Sequence, residues 1–233
     1  MKTEKVSIPV GKDHVSGIIS FPDTRIKDKT GIIIAHDAGN DMHNPLIAYV
    51  AERLSDTGYL TVRFNFPYKE KGRKAPDPQK TLVQTWKSVY QLVKDNYGLY
   101  KIIAAGKSMG GRVASQMVAE GSIQVDRLIF FGYPLHPPAQ KDKLRDAHLY
   151  YIKSPMLFFA GTRDALCDLD LLKKVLEKLT APWSLEIIEG GDHSFNIPKS
   201  LGLTQQEVYA QVLKKTIAWL EFLKNQQLKD KEA

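Results

Sequence analysis

An α/β fold, with a mostly parallel sheet covered by helices on both faces, is predicted by three observations. Strand-like and helix-like segments alternate through most of the chain. Several strand-like segments are short, continuous runs of β-branched and other apolar residues, residues 31–36 and 101–105 above all, as strands buried on both faces require. The helix-like segments carry their apolar residues on one face, as Leu46, Ile47, Val50, Ala51 and Leu54 do within residues 45–57.

Taken in order, residues 6–10 and 15–21 read as an antiparallel hairpin around Gly11-Lys12-Asp13-His14, at the sheet edge. Residues 31–36 form a central strand, residues 45–57 a helix that stops at Gly58, and residues 60–64 a return to the sheet. A long loop over residues 65–78 leads to a helix near 81–97 and then to the strand at 101–105. Helix 112–120, strand 128–131, a Pro-rich loop, strand 156–160, helix 169–179, strand 185–188 and a helix near 205–223 complete the pattern. Only about two dozen residues separate strands 128–131 and 156–160, so a large lid domain is not expected. Pro134, Pro137 and Pro138 stiffen that loop into the wall of an open pocket.

With 233 residues, 43% hydrophobic and 25% charged, the chain suits one globular domain over residues 1–233. The N-terminus shows no secretory pattern, and eighteen apolar residues nowhere run together, so neither secretion nor a membrane partner is expected. The single cysteine, Cys167, fits a reducing compartment, and the expected location is the cytoplasm. The formal charge of +7 is scattered, the basic groups around 69–74 and 224–231 reading as solvated faces, and no specific nucleic-acid partner is expected.

The chemistry centres on Gly106-Lys107-Ser108-Met109-Gly110, a G-x-S-x-G string between a strand and a helix. Glycines two positions either side of the serine suit a turn too tight for side chains. Such a turn lifts the Ser108 hydroxyl above the sheet edge and aims the Met109 amide at a developing oxyanion. A serine hydroxyl needs a base, and the base an orienting acid. Asp164 follows strand 156–160 and His193 follows strand 185–188, so all three can converge at the carboxyl edge of one sheet. Ser108 is therefore the candidate nucleophile, His193 the general base and Asp164 its acid. Asp168, Asp170 and Asp192 read as helix-start or turn carboxylates. The Ala38 amide, in His36-Asp37-Ala38-Gly39, is the second candidate oxyanion donor. Tyr133 and His136 are candidate pocket-lining residues, with loop packing as their alternative role.

These motifs, in this order, resemble the α/β-hydrolase superfamily across nearly the whole chain. Tyr133-Pro134-Leu135-His136-Pro137-Pro138, with residues 144–149, is similar to a small dienelactone-hydrolase-like subgroup that includes relatives of a scaffold subunit of a histone acetyltransferase complex. The resemblance implies the same nucleophile, acid, base and oxyanion amides. Dienelactone hydrolases have cysteine where Ser108 stands, so their lactone substrate is not implied. Many superfamily members have glycine where Asp37 stands; the acid either changes the charge at the pocket mouth or faces away. The expected activity is hydrolysis of an ester or thioester of a small acyl substrate through an acyl-enzyme, without metal or organic cofactor. The alternative is a binding or scaffold module that keeps the fold. The pattern leaves oligomeric state open.

Overall fold

The computed structural model describes residues 2–232, with side chains described as far as residue 225. Its eight strands are β1 (Lys2–Val10), β2 (Asp13–Phe21), β3 (Thr30–Ala35), β4 (Leu60–Phe64), β5 (Lys101–Lys107), β6 (Arg127–Phe131), β7 (Met156–Gly161) and β8 (Trp183–Ile188). They form one sheet in the order β1-β2-β4-β3-β5-β6-β7-β8. The β1/β2 and β2/β4 pairs are antiparallel and the other pairs parallel. The predicted fold class is therefore the observed one.

Alternation along each central strand sends successive residues to opposite faces. Ile33, Ala104, Leu128, Phe130 and Phe158 pack on one face with Trp86 and Val89 of α3 (Gln79–Asn96), Val113 and Met117 of α4 (Met109–Ala119) and Leu172 of α5 (Leu169–Leu176). Ile32, Ile34, Ile103, Ile129 and Phe159 pack on the other with Ile47 and Val50 of α1 (Pro45–Asp56) and Val212 and Leu220 of α6 (Gln205–Glu232). Helix α1 starts where Asn44 accepts from the Leu46 and Ile47 amides and Pro45 pre-sets the first turn. The short helix α2 (Pro67–Glu70) completes the set.

Several boundaries differ from the sequence reading. The hairpin turn is only Gly11-Lys12, because Gly11 adopts φ 62 and Val10 pairs directly with Asp13. Strand β1 starts at Lys2, its first residues being charged and exposed as an edge strand's often are. Helix α4 starts at Met109 rather than 112, α5 ends at Leu176 rather than 179, and α6 runs on to Glu232. The sequence predicts a loop over residues 65–78, and the structure has α2 inside it. Lys224 pairs with Asp28 at 2.9 Å; the side chains of the rest of the basic stretch to 231 lie outside the described residues.

No helical lid separates β6 from β7. Residues 132–155 hold a single 3-10 turn, Leu149–Tyr151, and are tied down from within. The Tyr133 hydroxyl donates to the Arg145 carbonyl at 2.7 Å, and the Arg145 amide to the Leu135 carbonyl at 2.7 Å. His148 Nε2 lies 2.8 Å from Ser115 Oγ on α4 and 3.2 Å from Tyr133 Oη. Burial, reinforced by the nearby Arg112 charge, pushes the His148 imidazole down to about 4. The unfolded chain thus takes up a proton near pH 6.5 that the folded chain refuses, so stability present above that pH falls as the pH drops towards 4. His148→Gln is expected to flatten that part of the stability curve relative to the native chain, as read by thermal melts between those limits; parallel curves would contradict it.

Candidate functional site

Three glycines let β5 turn into α4 within a single residue. A Cβ on Gly106 would lie 2.3 Å from the Gly111 nitrogen, one on Gly110 would lie 2.6 Å from the His36 carbonyl oxygen, and one on Gly111 would lie 2.8 Å from the Gly106 carbonyl oxygen. Real side chains cannot approach backbone so closely, so these positions admit only hydrogen. Ser108 itself takes φ 49 and ψ −116, a left-handed conformation that costs a non-glycine residue on the order of 1–3 kcal/mol. It caps α4 from outside, so its hydroxyl stands above the carboxyl edge of the sheet.

His193 reaches that hydroxyl from the loop after β8. Its Nε2 lies 2.8 Å from Ser108 Oγ and its Nδ1 2.7 Å from Asp164 Oδ2. The carboxylate can only accept while ionised, so Nδ1 carries the hydrogen and Nε2 is left to accept from the serine. Asp164 Oδ1 accepts from the Leu166 amide at 2.8 Å. The Asp164 side chain is fully buried, and that of His193 is 21% exposed, facing the solvent side. The loops carrying the pair lie against each other: a Cβ on Gly161 would sit 2.1 Å from the Gly191 carbonyl oxygen. Asp192 holds its own turn by accepting from the Ser194 and Asn196 amides, and Asp168 caps α5, as expected of both.

Ala38, Ser108 and Met109 line one cavity of about 460 Å³ with Pro134, Arg112 and Arg145 among its other walls. The Met109 amide opens α4 and so belongs to the first turn, whose N–H groups lack partners within the helix. The 36–40 loop that bears Ala38 is braced from several sides. Tyr68 Oη donates to the carbonyls of Asp37 and Ala38 at 3.2 and 3.0 Å. His36 accepts from the Phe66 amide at Nε2 and bonds the Asp37 carbonyl through Nδ1, which fixes a neutral ring; burial holds its pKa below the ordinary value.

The remaining candidates stand behind the cavity wall. Asp37 faces away from the pocket mouth: its Oδ1 accepts from the Gly39 and Asn40 amides at 2.8 Å each, and Oδ2 from Asn44. Tyr133 is buried, with its hydroxyl spent on Arg145 and His148. His136 is buried between the Pro137 carbonyl and the Asp168 amide. Their alternative role, packing the loop, is what the structure displays, and the wall residue of their motif is Pro134.

Lys107 escaped the sequence reading. Its side chain is almost wholly buried, and Nζ donates to the His193 carbonyl at 2.8 Å. Burial pushes its ammonium down, while Asp37, Asp164 and Asp192 pull it back up. Burial likewise opposes the charge on Asp37, but Lys107 and the amides of residues 39–40 outweigh it, so that carboxyl titrates below its ordinary range. Nothing in the sequence distinguishes a lysine at this variable motif position from a surface lysine. Cys167 is buried with its thiol free. Among the described residues, no group of three or more His, Cys, Asp or Glu side chains is placed to hold a metal ion, and no helix is long and apolar enough to cross a membrane.

A mostly parallel sheet with an antiparallel edge, and a serine on a left-handed turn at its carboxyl rim, define an α/β hydrolase. The chain belongs to the alpha/beta hydrolase domain family, which it matches over residues 28–221. Among solved structures it is similar to an alpha-beta serine hydrolase homologue from Coxiella burnetii, at 22% identity and TM-score 0.75, covering 94% of this chain and 98% of that one. It is also similar to a dienelactone hydrolase from Anabaena variabilis, at 22% identity and TM-score 0.73, covering 95% and 97%. Both likenesses speak to the fold. A Mycobacterium tuberculosis protein provisionally named a phosphoribosyl transferase is 23% identical over 205 residues; the match takes in 86% of this chain but only 44% of that relative's length.

Because backbone meets backbone at the turn, Gly106→Ala is expected to cost about 2–3 kcal/mol as an overpacking change. The melting temperature should fall by roughly 5–10 °C; an unchanged melt would mean that α4 can shift off β5.

Proposed function

We propose that this chain is a serine hydrolase that cleaves an ester or thioester of a small acyl substrate. The observation that carries the reading is the unbroken row Ser108 Oγ, His193 Nε2, His193 Nδ1, Asp164 Oδ2, with separations of 2.8 and 2.7 Å across the two gaps.

In this reading His193 Nε2 takes the hydroxyl proton as Ser108 Oγ bonds to the acyl carbon. The carbonyl oxygen, now negative, is received by the amides of Ala38 and Met109, two residues that line the same cavity. His193 then hands its proton to the departing alcohol or thiol, leaving an acyl-serine. Water repeats the sequence: it gives a proton to Nε2, attacks the acyl carbon, and the proton returns to Ser108 as the acid leaves. Asp164 stays ionised throughout and stabilises the imidazolium. The serine proton leaves with the alcohol or thiol and is replaced from water through His193, so the proposed chemistry calls on no cofactor. A single domain working in the cytoplasm fits the reading. The transferase name of the mycobacterial relative belongs to a protein about twice as long and does not enter it.

The resemblance of the 133–138 motif to scaffold relatives is the ground for the other reading, a non-catalytic module. One experiment separates the two. A fluorophosphonate probe is expected to label the native chain and not Ser108→Ala, and short-chain nitrophenyl esters to be hydrolysed. Asp164→Asn should lower kcat by about 10³–10⁴ by favouring the wrong imidazole tautomer. Labelling that survives Ser108→Ala removes the nucleophile; a folded chain that neither labels nor turns over ester, and that holds a stable partner, is the module.

A further inference from the structure

The cavity beside Ser108 has a charge pattern that ester cleavage alone does not require. Two of its wall residues are arginines, Arg112 and Arg145. Arg112 lies four residues beyond Ser108, its amide donating to the Ser108 carbonyl at 3.0 Å in the first turn of α4. Ser108 and Arg112 line the same cavity. Arg145 comes to the same cavity from the 132–155 loop. Its backbone is fixed at both ends, the amide to Leu135 and the carbonyl to Tyr133, each at 2.7 Å. Its guanidinium is therefore presented by a braced segment.

Neither guanidinium is neutralised. Among the described residues no carboxylate lies within 4.0 Å of either, although nine other cationic side chains in the protein have such a partner. Arg112 reaches only the Gln116 amide oxygen, at 3.5 Å, and Arg145 only the Pro134 carbonyl, at 3.4 Å. Both contacts are at the outer limit of hydrogen bonding. The one acid on the cavity wall, Asp77, is occupied: its Oδ2 accepts from the Tyr68 amide at 2.7 Å, and its Oδ1 is paired with Arg73. The two arginines also act on each other, since burial together with the Arg145 charge holds the Arg112 guanidinium below its ordinary value. Half-buried like charges facing one cavity without a counter-ion raise the energy of the empty site. A ligand anion would relieve it, and planar guanidinium forks suit the paired oxygens of a carboxylate or phosphate.

We infer that Arg112 and Arg145 form an anion subsite beside Ser108, so that the acyl substrate carries a second group, a carboxylate or phosphate, held by the two guanidinium groups while its ester or thioester lies at the serine. The inference rests on the proposed hydrolase reading for the ester half and on the cavity wall alone for the anion half.

The test compares two nitrophenyl esters of similar chain length, the hemiglutarate, which ends in a carboxylate, and the pentanoate, which ends in a methyl. The native chain is expected to favour the hemiglutarate in kcat/KM by about tenfold or more, as charge-assisted bonds to a paired arginine site allow. Arg112→Met and Arg145→Met should each lower that ratio several-fold, Arg145→Lys should retain part of it, and raising salt from about 50 to about 500 mM should shrink it in the native chain. Inhibition by glutarate set against inorganic phosphate tells which oxyanion the pair prefers. A ratio near one, or a ratio untouched by both methionine variants, overturns the subsite while leaving the hydrolase. If neither ester is turned over, the hydrolase reading fails, and calorimetry of glutarate and phosphate on the native chain decides the subsite. Binding lost in both methionine variants upholds it, and no binding overturns it.

Discussion

The contact between bare backbone at residues 106, 110 and 111 and the end of β3 governs everything above the sheet. With no Cβ at these positions, α4 settles directly against β5 and against the His36 carbonyl. That closeness forces Ser108 into its left-handed turn and brings the start of α4 to the rim. The strain at Ser108 is small against the packing that surrounds it, for α4 buries Val113, Ala114 and Met117 in the main core. The fold thus holds an unfavourable serine conformation by over-determining it from both sides. A looser turn would move the hydroxyl out of the plane where the other two loops arrive.

Those loops are brought in by a layer of charge beneath the hydroxyl. Lys107 points down from the same turn that lifts Ser108, and its ammonium grips the His193 carbonyl. Around it stand Asp37, Asp164 and Asp192, one from each of three loops at the sheet's carboxyl edge. None is within ion-pairing distance of Lys107, and each is satisfied mainly by its own loop's donors, with Asp164 also bonded to His193. Such an arrangement spreads one buried positive charge over several negative ones without committing it to any. It lets a lysine stay in the interior, where a lone ammonium would be costly. The consequence is geometric: the imidazole is held from below through its carbonyl and from the side through Asp164.

What the sequence disclosed and what it hid divide along a physical line. The central strands were legible because burial on both faces demands continuous apolar runs, and residues 60–64 appear in the structure with the expected bounds. Ser108, Asp164 and His193 were legible because each follows such a run and their order is constrained by topology. The start of α4 was not, because Gly110 and Gly111 lower helix propensity and only tertiary contact overrides it. Strand β1 was read short because solvent-facing Thr3, Glu4 and Lys5 carry no period-2 signal. Lys107, Tyr68 and the arginine pair were hidden for another reason. Their roles are set by what faces them across the fold, and a lysine or arginine spaced for a helix surface reads the same whether it meets water or a cavity. Tyr133 and His136 are the reverse case, polar side chains of a Pro-rich loop whose donors and acceptors are consumed by that loop and by the Asp168 amide beside it.

The loop over residues 132–155 joins the sheet rim to the cavity wall. It stands where a lid would be inserted, yet Tyr133 ties the loop to its own Arg145 carbonyl and His148 ties it to Ser115 of α4. Held at Tyr133 and His148, the loop presents its residues to the cavity from a fixed backbone. Its display includes Pro134, which shapes the wall, and Arg145, which charges it. Helix α4 supplies both Ser115, which anchors the loop through His148, and Arg112, which lines the cavity with Arg145. The position of the Arg145 charge at the cavity therefore depends on the bonds that His148 and Tyr133 make.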